Sequence, residues 1–198
     1  MKISIIGCGY VGLSTATVFA ELGNEVVAAD IDEDKIENLN KGIMPIFEPG
    51  LKEIVDRNVN EKRLRFTHNN KEVIEHGDII FICVGTPPKD NWEVELRYVE
   101  NVAKEIADNI NSYKVIVHKS TVPVETGDKI KKIIKENIRE NVEFDVVSNP
   151  EFLREGTAIK DTLEPDRIVV GADSEKAIEI MKKLYRPINA PLIITDIR

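Results

Sequence analysis

The sequence has few of the features that mark secreted, metal-binding or membrane-spanning proteins. It contains two cysteines, Cys8 and Cys83, in no CxxC or CxxH spacing, so neither a disulfide framework nor a thiolate metal site is indicated. No apolar run approaches the roughly 20 residues that a membrane-spanning helix needs. The start, MKISIIGCGY, lacks a signal-peptide cleavage pattern. We therefore expect a cytoplasmic protein in which both cysteines are buried as small apolar side chains.

Positive charge is also scarce. The chain has 27 Lys and Arg residues against 35 Asp and Glu, a formal net charge of −8. Nucleic acids and anionic membranes select basic surfaces, so we expect neither as a partner. An anionic ligand would have to be held by a few local donors.

Short apolar runs rich in β-branched residues recur along the chain and alternate with segments of helical periodicity. Their continuous apolar character is typical of parallel strands that are covered on both faces. With 42% hydrophobic residues available for a core, this order predicts an α/β protein. The expected fold is a Rossmann-type doubly wound, mainly parallel sheet with helices on both faces. The runs are KISIIG, EVVAAD, DIIFICVG, KVIVHKS, FDVVSN, RIVVGA and PLIIT.

A glycine-rich loop, IIGCGYVG, follows the first run and carries the GxGxxG pattern at Gly7, Gly9 and Gly12. In such a loop the glycines permit a tight turn, a close approach of pyrophosphate and close helix packing, in that order. The second run ends in Asp30, 18 residues after Gly12 (30 − 12), where a carboxylate can bond ribose hydroxyls and would repel a 2′-phosphate. The combination predicts a dinucleotide site that prefers NAD to NADP. Lys35 either lies near the adenosine half or belongs to a solvated helix face.

Polar residues follow three of the later runs. Gly85 and Thr86 end one run, Ser120 and Thr121 end the next, and the segment NPEFLREG follows FDVVS. Turn chemistry explains each of them alone. Because ligands collect outside the carboxyl ends of parallel strands, their occurrence at three successive ends indicates a site on the same edge as the glycine loop.

At these residues the sequence resembles the UDP-glucose/GDP-mannose dehydrogenase family, specifically its N-terminal NAD-binding domain. The resemblance covers essentially the whole chain. It implies one NAD-binding domain over residues 1–198, with a βα extension at its C-terminal end. The form NPEFLREG looks more like the UDP-glucose and GDP-mannose branches than the N-acetylmannosamine branch. The matching segments are KISIIGCGYVGLSTATVFAELGNEVVAADIDEDKI, PIFEPGL, ICVGTP, KSTVPVETGDKI, NPEFLREGTAIKD and PDRIVVG.

The resemblance also implies an activity and its residues. Family enzymes oxidise the primary alcohol of a nucleotide sugar to a carboxylate with two NAD molecules in sequence, so UDP-glucose or a related nucleotide sugar is the implied substrate. Glu151 resembles the glutamate that assists proton transfer, together with Thr121 through an ordered water; an ordinary acid at a helix start is the alternative. Phe152 and Leu153 would anchor the loop or pack against the substrate. The implied cofactor-binding residues are Gly7, Gly9, Tyr10, Val11, Gly12, Asp30, Lys35, Thr86, Thr121 and Glu155. The implied substrate-binding residues are Glu151, Phe152, Leu153, Arg154 and Glu155.

Family members continue beyond PLIITDIR into a long helix and a second domain with the nucleophilic cysteine. Cys8 and Cys83 stand in the wrong motifs to replace that cysteine. We therefore expect the chain alone to bind dinucleotide without completing the four-electron oxidation. The homodimer expected of the family is built largely on the helix that follows. A smaller departure is Glu125, where the family often has glycine.

Two other functions stay open on the residues alone. One is another NAD-dependent dehydrogenase of the hydroxyacid or hydroxyacyl-CoA type, which NPEFLREG and PDRIVVG argue against. The other is a nucleotide-sensing module that binds ligand without chemistry and gives Glu151 no role. Fold analogy does not separate them, because function depends on the site.

Overall fold

The computed structural model describes residues 1–89, 93–120, 122–139 and 141–197. Within these ranges the chain forms one eight-stranded sheet in the order β3-β2-β1-β4-β5-β6-β7-β8. The strands are β1 (Lys2–Ile6), β2 (Glu25–Ala29), β3 (Leu64–Thr67), β4 (Ile79–Ile82), β5 (Lys114–His118), β6 (Phe144–Ser148), β7 (Ile168–Gly171) and β8 (Leu192–Thr195). The helices are α1 (Tyr10–Glu21), α2 (Glu33–Asn40), α3 (Leu51–Asn60), α4 (Asn70–His76), α5 (Arg97–Asn109), α6 (Thr126–Asn137), α7 (Ala158–Leu163) and α8 (Glu175–Tyr185).

The pairing confirms the predicted doubly wound, mainly parallel sheet. The six neighbouring strands β3, β2, β1, β4, β5 and β6 pair in parallel, and β7 pairs in parallel with β8. The exception is β6 with β7, which are antiparallel and share the single registered pair Ser148 and Gly171. The sheet therefore has a seam between a six-stranded part and a two-stranded part.

The central strands are buried on both faces, as their continuous apolar runs predict. Alternate residues of β4 serve two cores: Ile79 and Phe81 pack on the side of α1, and Ile80 and Ile82 pack on the side of α5. Burying a side chain of this size contributes about 1.5–3 kcal/mol, so β4 ties the two layers together. The same burial does not extend to the edge strand β8, where Ile193 is 42% exposed.

One strand, β3, is not indicated by the sequence pattern. Leu64 and Phe66 point into the core while Arg65 is exposed. The strand is only four residues long and lies at the sheet edge. It buries one face, with two apolar residues, which is too short a pattern to indicate a strand.

The structure shows several local features beyond the sheet, and one of them, the burial of both cysteines, confirms a prediction. Helix α1 is followed by Gly23 at φ +87°, the left-handed conformation that ends helices. Cys8 and Cys83 are 1% and 7% exposed, and burial raises the pKa of Cys83 to about 12 and that of Cys8 further. Glu125 adopts φ +75°, a left-handed conformation that glycine adopts with less strain than other residues. In the part of the chain that the structure describes, no helix has the length and apolar character needed to cross a bilayer.

Candidate functional site

The glycine loop connects β1 to α1 in a geometry that requires glycine at Gly7 and Gly12. Gly7 has φ +101°, and a Cβ there would stand 2.7 Å from the carbonyl oxygen of Cys83. A Cβ on Gly12 would stand 1.8 Å from the carbonyl oxygen of Gly7, so the helix packs directly on the loop. A Cβ on Gly9 would meet nothing within 4 Å. Gly9 therefore presents bare backbone to open space at the start of α1, which is the cradle that a pyrophosphate requires.

A cavity of about 620 Å³ opens above this loop, at the carboxyl ends of the central strands. Glu151 reaches the same cavity from the segment after β6. The predicted strand-end site is thus one continuous space, large enough for a cofactor. Predicted residues that line it are Gly7, Gly9, Tyr10, Val11, Asp30, Lys35, Thr86 and Glu151.

Asp30 stands at the end of β2 with its carboxylate fixed on both oxygens. Oδ2 accepts the backbone N–H of Cys8 at 2.8 Å and pairs with Lys35 Nζ at 2.7 Å, and Oδ1 accepts the N–H of Asp32 at 3.0 Å. Burial alone would raise the pKa of Asp30, but the bond to Lys35 and the two N–H groups outweigh it and hold this pKa below its usual range. The acid is thereby kept ionised at the rim of the cavity. Lys35 lines the cavity beside Asp30; its position near the adenosine half stays a prediction.

The far wall of the cavity was not predicted from the sequence. It is formed by Asn70 and by one face of α5, including Tyr98, Asn101 and Glu105. Asn70, the first residue of α4, donates from Nδ2 to Glu105 of α5 at 2.7 Å, so α4 and α5 are linked at the cavity. The amphipathic pattern of α5 signals a helix, but nothing local tells that its polar flank faces a site.

The segment after β6 begins in a buried polar network. Asn149 is 1% exposed; its Oδ1 accepts from Lys119 Nζ at 3.3 Å and from the Tyr185 hydroxyl at 2.5 Å, and its Nδ2 donates to the carbonyl of Val169 at 2.7 Å. Burial lowers the pKa of Lys119, while the thiol of Cys83 and the carboxylate of Glu151 act in the opposite direction. The base of the segment is therefore held by hydrogen bonds to Lys119, Val169 and Tyr185.

Glu151 lies in irregular chain seven residues before α7 (158 − 151), so it is not an acid at a helix start. It lines both the large cavity and a smaller one of about 40 Å³ shared with Phe152 and Leu153. Phe152 is 49% exposed and carries the Arg167 guanidinium over its ring at 4.6 Å, a cation–π contact. Glu151 thus stands between an apolar pair and the cofactor space.

The other predicted residues of this segment lie at its outer edge. Arg154 makes a two-pronged contact with Asp161, at 2.8 and 3.0 Å; the Arg154 hydrogen bonds hold the pKa of Asp161 well below its usual range. Glu155 is exposed and is not part of the lining of the large cavity. Thr121 falls outside the described residues. The roles assigned to these three residues stay predictions.

A parallel sheet, a glycine cradle at a helix N-terminus and an acid at the end of the second strand define a dinucleotide-binding domain of the Rossmann type. Comparison with known families makes this specific. Residues 1–189 match the NAD binding domain of the UDP-glucose/GDP-mannose dehydrogenase family. The chain belongs to this family, and NAD is its cofactor.

Individual relatives agree with the family assignment. The chain is 50% identical over 196 residues to UDP-glucose 6-dehydrogenase TuaD of Bacillus subtilis, covering 99% of the chain and 42% of that protein. It is 48% identical to UDP-glucose 6-dehydrogenase of Rhizobium meliloti, covering 100% of the chain and 46% of that protein.

Solved structures show the same fold. A UDP-glucose dehydrogenase from Pyrobaculum islandicum superposes with a TM-score of 0.96 at 38% identity, covering 100% of this chain and 47% of that one. GDP-mannose dehydrogenase from Pseudomonas aeruginosa gives 0.95 at 36% identity, with 100% and 47% covered. The chain spans about half the length of the relatives it matches.

Proposed function

We propose that the chain is the NAD-binding part of a nucleotide-sugar dehydrogenase that converts UDP-glucose to UDP-glucuronate with the reduction of two NAD. The observation that carries the proposal is the position of Glu151. A carboxylate from the family-specific segment lines the same cavity as the glycine cradle and Asp30. Cofactor and reacting sugar carbon would meet at that point.

The residues present fit the cofactor. The open backbone at Gly9 takes the pyrophosphate at the N-terminus of α1, with Tyr10 and Val11 beside it. Asp30 accepts hydrogen bonds from ribose hydroxyls and repels a 2′-phosphate. Thr86 lies at the strand end nearer the middle of the sheet. Bound NAD would supply a hydride acceptor. The chain would orient the cofactor and exclude water from its lower side with buried strand ends.

Glu151 takes the proton of the sugar hydroxyl in this proposal, with Thr121 and an ordered water assisting. A carboxylate acts as a base near neutral pH when its site is partly desolvated. Phe152 and Leu153 provide apolar surface next to it, and buried Lys119 lies behind it. Arg154 and Glu155 then define the outer part of the sugar and nucleotide pocket.

The proposal includes the setting of the whole enzyme. Relatives about twice as long carry UDP-glucose 6-dehydrogenase names, so the substrate pocket would be completed by residues beyond the region compared. A cytoplasmic homodimer is the expected form of that complete protein.

Calorimetric titration of the purified chain with NAD, NADP and UDP-glucose tests the proposal. NAD should bind in preference to NADP, with little affinity for UDP-glucose alone. Asp30→Ala removes a charged acceptor worth about 1.5–3 kcal/mol, so its Kd for NAD should rise roughly 10- to 150-fold. Asp34→Ala removes the same charge from an exposed position on α2 and is the matched control.

Two results would contradict the proposal. One is tight UDP-glucose binding without NAD binding. The other is NAD affinity that is equal in the Asp30→Ala and Asp34→Ala chains while both keep the wild-type Tm. In the first case the cavity is not a cofactor site, and in the second the cofactor is not seated on Asp30.

A further inference from the structure

Glu48 is a buried carboxylate that the dinucleotide cavity does not use. It lies in the loop PIFEPGL between α2 and α3 and is 5% exposed, yet it does not contribute to the lining of the large cavity. A buried carboxylate is costly unless donors surround it. Its partners therefore indicate its purpose.

Those partners come from two distant parts of the chain. The Tyr10 hydroxyl, from the first residue of α1, donates to Glu48 Oε2. The backbone N–H of Gly156 donates to the same oxygen at 2.9 Å, and the N–H of Ala158 donates to Oε1. Gly156 N–H also lies 3.0 Å from the Tyr10 hydroxyl oxygen. One carboxylate thus holds the start of α1 and the end of the NPEFLREGTA segment, although Glu48 and Ala158 are 110 residues apart.

The chemistry of these contacts makes them strong. Hydrogen bonds to a carboxylate are shorter and stronger than hydrogen bonds between neutral groups. Acceptance by Glu48 raises the pKa of the Tyr10 phenol, against a smaller opposite effect of the Gly156 N–H. Tyr10 therefore stays a protonated donor. Gly156, at φ +88°, lets the chain turn its N–H toward the carboxylate.

We propose that Glu48 is a positioning residue that ties the substrate segment Glu151–Glu155 to the glycine loop, so that NAD binding and placement of this segment are coupled. Tyr10 directly follows Gly9, the residue at which the pyrophosphate approaches. A cofactor that fixes the start of α1 fixes the Tyr10 side chain, and through Glu48 it restrains Gly156 and Ala158. This inference rests on the proposed function, since it assumes NAD at Gly9.

Hydrogen exchange on the 198-residue chain tests the coupling. In the wild type, the amides of Gly156 and Ala158 should exchange slowly, and saturating NAD should slow them further. Glu48→Gln replaces one of the two accepting oxygens by an NH2 donor, so at least one of these amides should exchange about tenfold faster or more and show no response to NAD. The matched control is Glu53→Gln, an exposed position on α3, which should behave as wild type.

Tyr10→Phe separates coupling from simple stabilisation. It leaves the Glu48 bonds to Gly156 and Ala158 in place, so their protection without cofactor should persist within about threefold. The response to NAD, measured at a concentration that saturates the variant, should disappear. Exchange in β4 serves as the internal reference for any global loss of stability.

The inference is overturned if Glu48→Gln leaves exchange at Gly156 and Ala158 unchanged, or if NAD still slows these amides in Tyr10→Phe as much as in the wild type. A wild-type chain that binds NAD with no change at these amides overturns the coupling alone. A wild-type chain that binds no NAD contradicts the proposed function and the coupling together.

Discussion

His118 makes the stability of this fold depend on pH in a direction that the structure fixes. It is the last residue of β5, is 6% exposed, and packs against α6 so closely that a Cβ on Gly127 would stand 3.3 Å from its Nε2. Within the described ranges Nε2 has no hydrogen-bond partner. Burial lowers the pKa of His118 from 6.5 to about 4.

The sign follows from proton counting. Between the folded and the ordinary pKa, the unfolded chain binds a proton on this histidine and the folded chain does not, so stability rises with pH across that window. Equivalently, stability is lost as pH falls below about 6.5. For pKa values of about 4 and 6.5, the contribution lost between pH 7.5 and pH 5 is about 2 kcal/mol.

Urea unfolding followed by circular dichroism at pH 7.5 and pH 5 measures this contribution in the wild type and in His118→Gln. Carboxylates also titrate toward pH 5, so the quantity compared is the change in unfolding free energy between the two pH values. That change should be about 2 kcal/mol smaller in His118→Gln, because glutamine carries no titrating group. Equal changes in the two chains would refute the reasoning, whatever the cost of the substitution at pH 7.5.

Three further predictions concern the cofactor site. In Gly12→Ala the new Cβ would stand 1.8 Å from the Gly7 carbonyl oxygen. The free energy of unfolding should therefore fall by an overpacking cost of about 1–3 kcal/mol or more, and Tm should fall with it. Gly9→Ala has free space around its Cβ and should keep its Tm while NAD affinity falls about tenfold or more; normal binding would contradict the cradle. Asp30→Ser frees Lys35, now 2.7 Å from Asp30 Oδ2, so titrations should show a roughly tenfold smaller preference for NAD over NADP, and undiminished discrimination would contradict it.

The parts of this protein that could be read from sequence are those whose evidence is local. The glycine loop and Asp30 follow two consecutive strands, and their spacing carries the prediction. Strand β3 was not predicted, because two apolar residues at a sheet edge make too short a pattern. The role of Glu48 was not predicted for a different reason. Its partners include Gly156, 108 residues away, and only the folded chain brings them together. The same holds for Glu105 on α5. The periodicity of that helix predicts which face is polar, but not that this face lines the cavity.

The seam between β6 and β7 decides what surrounds Phe152. Ser148 and Gly171 pair in antiparallel register. If this register is extended by four residues beyond Ser148 (148 + 4) and four residues before Gly171 (171 − 4), Phe152 stands opposite Arg167. These two side chains are in contact. Pro150, two residues beyond Ser148, has no N–H to donate to a further bond of the ladder. The segment after β6 is thus brought into contact with a guanidinium at Phe152, a local positive charge in a chain of net charge −8.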